Sequence, residues 1–321
     1  MRRRGGAIAK ACAAGAIGFP LAAGLQGCAA PSATDPMTPA SAPAITGPAS
    51  TASPASPASH SSPGTTKVAP SSPSLRQDPF GAAATSYVAD RSDTVTAAVY
   101  DVRTGQTWTF GSAKPQAEAS IVKLNILETL YARHRTGSGE LSSSDTSLAE
   151  SMMEDSDNDA ATSLWDAVGG SSQIASFNSS AGLTHTEPSS CVECPGFPWP
   201  GWGLSTTTPT DQLALLRELI KPSTLLTDAQ RNSALKLMEN VAQSQRWGVS
   251  GGVPSAAKVA LKDGWLPLNE DNTNWQINSI GWISGSGRDY LMAVLTTGNP
   301  SQQYGIDTIN QLSGLVWQHL G

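Results

Sequence analysis

The chain has 321 residues, with 20 basic and 26 acidic side chains and a net charge of −6. An acidic chain has no electrostatic reason to bind nucleic acid, because the phosphate backbone attracts basic surfaces. We therefore expect no nucleic-acid partner. The length suits one substantial domain, and the sequence contains no internal repeat.

The N-terminal segment has the features of an export signal. Residues 2–4 are arginines, and they precede an apolar run from Ala7 to Leu25 that is short for a membrane-spanning helix. The run ends at Leu25-Gln26-Gly27-Cys28, which resembles the lipobox of bacterial lipoproteins. That resemblance implies cleavage before Cys28 and lipidation of this residue, so residues 1–27 are predicted to be a lipoprotein signal peptide. An ordinary secretory signal with a chance cysteine is the alternative.

Residues 28–79 are predicted to be a disordered tether. From Ala29 to Pro79 the chain is almost entirely Pro, Ser, Ala, Thr and Gly, which offer too little apolar surface to offset the entropy of ordering. His60 lies in this segment and is interpreted as a solvated linker residue. We expect an extracytoplasmic protein that is anchored to the outer face of the cell membrane through Cys28.

Residues 80–321 are globular in composition, contain all nine tryptophans and are predicted to form one domain. Two strands, a block of helices, three strands and a closing helix are expected along it. This order favours an α/β fold of the α+β type, in which a five-stranded antiparallel sheet is flanked by helices beside a helical subdomain. In chain order the predicted elements are helix 81–91, strands 94–100 and 107–110, helices 120–131, 146–154 and 159–168, a helix that begins at Thr208-Pro209, strands 258–261, 275–283 and 290–296, and helix 306–320.

Only two of the four cysteines belong to the predicted domain. Cys12 would leave with the signal and Cys28 would carry lipid, which leaves Cys191 and Cys194 as a C-x-x-C pair without a second pair. In an oxidising exterior this pattern favours a local disulfide over a zinc half-site or a reactive thiol. We expect no metal and no cofactor, since no metal-ligand spacing is formed by His134, His185 and His319.

Ser120 and Lys123 are the candidate nucleophile and base. A serine hydroxyl needs a neighbouring base, and the sequence offers no convincing histidine for that task. Ser120 and Lys123 are three positions apart, so the two side chains share one face of the predicted helix. A buried lysine has its pKa lowered and can accept a proton.

Two later motifs make the S-x-x-K pattern specific. Ser156-Asp157-Asn158 lies between two predicted helices, and Lys262-Asp263-Gly264 lies on a late predicted strand. This order resembles the serine β-lactamases and penicillin-binding proteins, over essentially the whole domain from Phe80 onward. The resemblance implies a class A β-lactamase-like serine hydrolase with a β-lactamase and transpeptidase-like fold.

The resemblance also implies catalytic roles. Ser120 would attack a carbonyl to form an acyl-enzyme while Lys123 accepts its proton. Ser156 would pass a proton to the leaving nitrogen. Lys262 would hold Ser156 and an anionic group of the substrate.

Four further residues are implied to bind substrate. Asn158 would contact its amide side chain, Gly264 belongs to the K-x-G strand, and the backbone N–H groups of Ser120 and Trp265 would form the oxyanion hole. Asp263 is a departure, since a Thr or Ser is usual at this position. Its carboxylate would repel a β-lactam carboxylate, or it would pair with Lys262 or Arg288 and be harmless.

The deacylating glutamate of class A enzymes has no clear counterpart. Glu187 and Glu193 lie in the corresponding region, but neither has the usual sequence context. Glu193, between the two cysteines, is the preferred candidate by position. A surface carboxylate without a catalytic role is the alternative for each.

Two other features concern the cleft. The stretch between Lys123 and Ser156 is shorter than in typical class A enzymes, which predicts a more open site. The aromatic segment from Phe197 to Gly203 would line an apolar cleft or simply pack within its loop.

Three functions are compatible with these residues. The first is hydrolysis, through an acyl-serine, of a β-lactam or a related cell-wall-type amide or ester, with a small-molecule or peptidoglycan-like substrate. The second is a penicillin-binding, D-Ala-D-Ala-directed peptidase with slow deacylation. The third is a catalytically silent binding lipoprotein. In each case we expect a monomer whose membrane contact is the lipid on Cys28.

Overall fold

The computed structural model describes residues 77–135, 140–195 and 201–320. The predicted signal peptide, the predicted lipidation site Cys28 and nearly all of the predicted tether lie outside these residues, as do residues 197–200 of the aromatic segment. In the described part of the chain, no helix is long and apolar enough to cross a membrane.

A five-stranded antiparallel sheet forms the centre of the domain, as predicted. Its strand order is β2-β1-β7-β6-β5, and β3 pairs with β4 in a separate small sheet. The strands are β1 Thr94–Asp101, β2 Thr107–Phe110, β3 Gln116–Ala117, β4 Thr206–Thr207, β5 Lys258–Pro267, β6 Trp275–Gly285 and β7 Arg288–Asn299.

Eight α-helices surround the sheet in the residues that the structure describes. They are α1 Gly81–Ala89, α2 Val122–Arg133, α3 Ser143–Glu154, α4 Asn158–Val168, α5 Gly170–Ala181, α6 Pro209–Ile220, α7 Asp228–Glu239 and α8 Gln302–His319. Single 3₁₀ turns span Ala119–Ile121, Gly201–Leu204, Gln243–Gln245 and Gly248–Ser250.

The core lies on both faces of the sheet, because successive side chains of a strand point to opposite faces. In β7, Leu291, Ala293 and Leu295 join the apolar cluster beneath the helical block. Their neighbours Tyr290, Met292 and Val294 join the second cluster, which contains apolar residues of α1 and α8. The unbroken apolar run of this strand is explained by its burial on both sides.

The predicted start of the helix after β4 is confirmed. Thr208 Oγ1 accepts a hydrogen bond from the backbone N–H of Asp211, and Pro209 occupies the first helical turn. Gly169 likewise ends α4 in the left-handed conformation, with φ of 97°.

The sequence analysis missed two helices, α5 and α7. The first begins directly at Gly170, just after the end of the predicted helix 159–168, and its glycine and serine residues are weak helix formers. The second begins with a capping box between Thr227 and Gln230. That capping box was a readable start signal for α7.

Candidate active site

Ser120 lies in a 3₁₀ turn that leads into α2, rather than inside the α-helix as predicted. Ala119 before it has a φ of 50°, in the left-handed region that non-glycine residues rarely adopt. The approach to the turn is held by Asn278, whose Nδ2 donates to the carbonyl oxygens of Ala117 and Glu118 at 2.8 Å each. Ser120 is half-buried and lines a cleft of about 540 Å³.

Lys123 lies one turn further along, at the floor of the site. Its side chain is fully buried, and its Nζ donates to the carbonyl oxygen of Ser156 at 2.5 Å and to Oδ1 of Asn158 at 2.8 Å. Burial, together with the nearby charge of Lys262, lowers the pKa of Lys123 to about 6. A neutral amine with a free lone pair is therefore the main form at pH 7.

The oxygen Oγ of Ser156 lies between two lysines. Lys123 Nζ is 3.1 Å from it and Lys262 Nζ is 3.0 Å from it. Ser156 has a φ of 58°, so the loop between α3 and α4 adopts a strained conformation at this residue. Asp157, the next residue of the same motif, accepts a hydrogen bond from the backbone N–H of Ala160 at 2.7 Å and caps α4.

The structure thus brings Ser120, Lys123, Ser156, Asn158 and Lys262 together, with one difference from expectation. The three hydrogen bonds that Lys123 Nζ makes within the described residues go to Ser156 and Asn158, and none goes to Oγ of Ser120. The predicted direct contact between nucleophile and base is therefore not formed in this conformation.

Gly264 brings strand β5 against the nucleophile. A Cβ added at Gly264 would lie 2.7 Å from the backbone nitrogen of Ser120 and 2.9 Å from that of Ile121. Only a glycine allows this approach, which explains the third residue of the K-x-G motif. Trp265 follows on the same strand and lines the cleft.

Asp263 corrects the sequence analysis, which assigned it to substrate binding. Its side chain is fully buried and is not among the residues that line the cleft. Strand alternation turns it away from Lys262, so that its Oδ2 accepts from the backbone N–H of Trp247 at 3.4 Å and its carboxyl faces Ser279. Burial raises the pKa of Asp263. Of the two predicted partners, Lys262 donates to the backbone carbonyl oxygen of Asp263 at 3.0 Å, and Arg288 donates to the carbonyl oxygen of Trp317.

The glutamates are also corrected. Glu193 is exposed on its loop and does not line the cleft, and neither does Glu187, whose backbone bridges to Thr206. The structure therefore does not bring the preferred deacylating residue to the nucleophile. Cys191 and Cys194 form a disulfide, as predicted.

The part of the aromatic segment that the structure describes contributes to the site. Trp202 is buried and lines the cleft, and Lys123 Nζ lies 5.1 Å from the centre of its ring. Its Nε1 donates to Oγ1 of Thr162 at 3.2 Å. The cleft-lining interpretation of this segment is thereby confirmed for Trp202 and Gly203.

The sequence analysis missed the amide network that supports the nucleophile. Gln276 Nε2 donates to Oδ1 of Asn278 at 2.8 Å and lies 3.0 Å from Oε1 of Gln116, whose Nε2 donates to Oγ1 of Thr96. All four side chains are buried. Two amides at alternate positions of an otherwise apolar predicted strand were the available signal, because buried amides need partners.

Solved structures with a similar fold are class A β-lactamases. The TLA-1 extended-spectrum β-lactamase matches with a TM-score of 0.65 and 17% identity, over 74% of this chain and 96% of that chain. A class A β-lactamase from Mycobacterium abscessus matches with a TM-score of 0.61 and 22% identity, over 73% and 96%. The fold is thus that of the class A serine β-lactamases.

The family follows from the sequence match. The model of the beta-lactamase enzyme family matches residues 139–320, and the chain belongs to this family. The matched range begins after Ser120 and Lys123. A relative named "Putative lipoprotein LppW", from Mycobacterium tuberculosis and Mycobacterium bovis, is 29% identical over 223 residues, which cover 66% of this chain and 65% of the relative.

Proposed function

We propose that the protein is a serine hydrolase that acts through an acyl intermediate on Ser120. Membership of a fold family does not by itself establish an activity, so the proposal rests on the site. The observation that supports it most is Lys123, a fully buried lysine with a pKa of about 6 that lies one turn from a cleft-lining serine. A protein that only bound a ligand would have no use for this costly arrangement.

In the acylation step, Ser120 Oγ forms a bond to the substrate carbonyl carbon and loses its proton to neutral Lys123. Lys123 Nζ forms its hydrogen bonds with Ser156 and Asn158. The proton of Ser120 therefore reaches it through a water molecule or after a small rotation of the lysine side chain. Lys123 then returns the proton through Ser156, whose Oγ is 3.1 Å away, to the leaving nitrogen or oxygen. The bond between the carbonyl carbon and that atom breaks.

Charge on the carbonyl oxygen would be stabilised by the backbone N–H groups of Ser120 and Trp265. The close approach of β5 at Gly264 supports this assignment, because it places the strand beside the nitrogen of Ser120. Lys262 would keep Ser156 polarised from the other side, with its Nζ 3.0 Å from the hydroxyl oxygen.

We further propose that the domain is tethered outside the cell through lipid on Cys28. The lipobox-like sequence supports this, as does the name of the LppW relatives. The substrate class would be a β-lactam or a cell-wall-type amide or ester, bound by a monomer. A Cys28→Ser variant that still fractionates with membranes would contradict the anchoring.

A long-lived acyl-enzyme, as in a penicillin-binding peptidase, is a second candidate. It is favoured by the positions of Glu187 and Glu193, neither of which lines the cleft to prime a water. Steady turnover of a chromogenic cephalosporin would favour hydrolysis, whereas a stoichiometric adduct would favour this candidate.

The test is labelling with a fluorophosphonate probe. The unaltered protein and the Ser163→Ala control, changed at an exposed serine of α4, should be labelled equally, whereas Ser120→Ala should not be labelled. Labelling should fall at least a hundredfold in Lys123→Met. A fully labelled Ser120→Ala variant would contradict the assignment.

A further inference from the structure

The cleft above Ser120 has an apolar wall on the side of β5 and the loop that follows it. Five tryptophan, leucine and proline residues line the cleft there, and they are Trp265, Leu266, Pro267, Leu268 and Trp275. Aromatic and branched surfaces of this kind bind apolar groups by removing them from water.

The loop between β5 and β6 is built to keep this wall in place. Oδ1 of Asn269 accepts from the backbone N–H groups of Thr273 and Asn274 at 3.1 and 3.0 Å, and Trp275 Nε1 donates to the carbonyl oxygen of Asn272 at 2.8 Å. Leu268 N donates to the carbonyl oxygen of Asn274 at 2.7 Å. Leu268 is therefore held at the rim of the cleft with 39% of its surface exposed, and it is one of two exposed large apolar residues in the part of the chain that the structure describes.

The charge of the cleft is equally distinctive. Among its described lining residues Glu270 is the only charged one, and none is Lys or Arg. Lys262, the cation that the family resemblance assigns to an anionic substrate group, is fully buried, and its Nζ donates to Oγ of Ser156 and to the carbonyl oxygen of Asp263. A substrate carboxylate would therefore meet an apolar wall and a like charge.

We propose that the substrate of this cleft is an ester or amide with an apolar acyl group and without a carboxylate. The apolar group would lie against Trp265, Leu268 and Trp275 while the carbonyl carbon lies at Ser120. That the substrate is cleaved at an ester or amide bond rests on the proposed function, whereas the preference for binding an uncharged apolar group does not. The inference narrows the substrate class and sets it apart from anionic β-lactams.

The experiment compares two esters of equal acyl length, 4-nitrophenyl hexanoate and the 4-nitrophenyl monoester of adipic acid. They differ only by a terminal carboxylate on the acyl chain. We expect kcat/KM to be at least tenfold higher for the hexanoate, after subtraction of the rate measured with Ser120→Ala. Equal values, or a preference for the adipate, would overturn the inference.

Variants of the residues that line the cleft test whether they cause the preference for the hexanoate ester. Glu270→Gln should narrow the ratio between the two esters at least threefold, and Leu268→Lys should narrow it further, because a cation at the rim attracts the carboxylate. Glu239→Gln, which removes an exposed carboxylate from α7, should leave the ratio unchanged. An unchanged ratio in both cleft variants would place the discrimination elsewhere and contradict the proposal.

Binding to the Ser120→Ala variant, measured by calorimetry with the same two esters, separates the two proposals. Tighter binding of the hexanoate without turnover by the unaltered protein would support the inference and contradict the proposed catalysis. Turnover by the unaltered protein, together with tighter binding of the adipate, would support the proposed catalysis and contradict the inference about the substrate.

Discussion

Lys123 and Lys262 place their amino groups on one oxygen, Oγ of Ser156, at 3.1 and 3.0 Å. Both side chains are fully buried, and the charge of Lys262 adds to burial in lowering the pKa of Lys123. When Lys262 is charged and donates to Ser156, the hydroxyl hydrogen is free to point to the lone pair of neutral Lys123. The two lysines therefore have different roles, in which Lys123 is the base and Lys262 is the cation.

The rate of Ser120 labelling should depend on pH through Lys123. The base is active when neutral, so the rate should rise with pH, with a midpoint at about 6, and then level off until Lys262, whose pKa is also lowered by burial, begins to lose its own proton. In Lys262→Met the repulsion that lowers the pKa of Lys123 is lost, and the midpoint should move to higher pH. The measurement is the second-order labelling rate between pH 5 and 9. A midpoint that stays or moves down in the variant would show that Lys262 does not act on the base.

The same lysine should make stability depend on pH. Its pKa is about 6 in the folded state, against 10.5 for a solvated lysine, so between these values the unfolded state binds one proton more. Stability that involves Lys123 therefore increases with pH in this window, by up to about 1.4 kcal/mol per pH unit. Urea unfolding at pH 6.5 and 8.5 should show that the unaltered protein gains stability relative to Lys123→Met.

A matched control for this prediction is Lys236→Met, at an exposed lysine of α7 that is solvated in both states. It should show no comparable pH-dependent difference from the unaltered protein. If Lys123→Met behaves like Lys236→Met, the buried lysine does not lose its proton on folding.

The sequence predicted which residues form the site better than it predicted the hydrogen bonds between them. The three motifs identified Ser120, Ser156 and Lys262, because residue type and order are enough to identify a family's site. They could not show that Lys123 forms its hydrogen bonds with Ser156 rather than with Ser120. That choice depends on the rotamer of a long side chain that has several hydrogen-bond acceptors within reach. Nor could they show that Glu193 is exposed, which depends on the path of its loop.

For the fold, the positions of the five main strands were predictable and so was the length of β2, whereas the length of β5 was not. The sequence analysis gave this strand the bounds 258–261, although it also placed the K-x-G motif on a strand, and the structure shows that β5 continues through this motif to Pro267. Lys262 and Asp263 interrupt the apolar pattern but find partners on opposite faces of the sheet. Long-range partners of this kind stabilise polar residues in a strand and leave no local signal.

The orientation of Asp263 can be tested with Asp263→Thr, which introduces the residue usual at this position in the family. Because the side chain lies on the face opposite to Lys262, the threonine hydroxyl should not reach a substrate. We expect acylation by benzylpenicillin, whose carboxylate the cleft disfavours, to stay as slow as in the unaltered protein, within twofold. Asp263→Asn, with nearly the same shape, should behave in the same way, and thermal melting of both variants reports whether they fold. A tenfold faster acylation of the folded threonine variant would show that residue 263 contacts the substrate.

Gly264→Ala tests whether the approach of β5 to the nucleophile matters for activity. The added Cβ would lie 2.7 Å from the backbone nitrogen of Ser120, so the strand or the 3₁₀ turn has to move. Overpacking of this kind costs about 1–3 kcal/mol of stability. The displaced N–H should also slow labelling of Ser120 by a fluorophosphonate at least a hundredfold, a loss typical of an oxyanion-hole donor.

In the control Gly314→Ala, the new Cβ on α8 would have no neighbour closer than 3.7 Å, so labelling should stay unchanged. If Gly264→Ala lowers the melting temperature but labels at the normal rate, the glycine serves packing alone and the backbone N–H groups beside it do not bind the oxyanion.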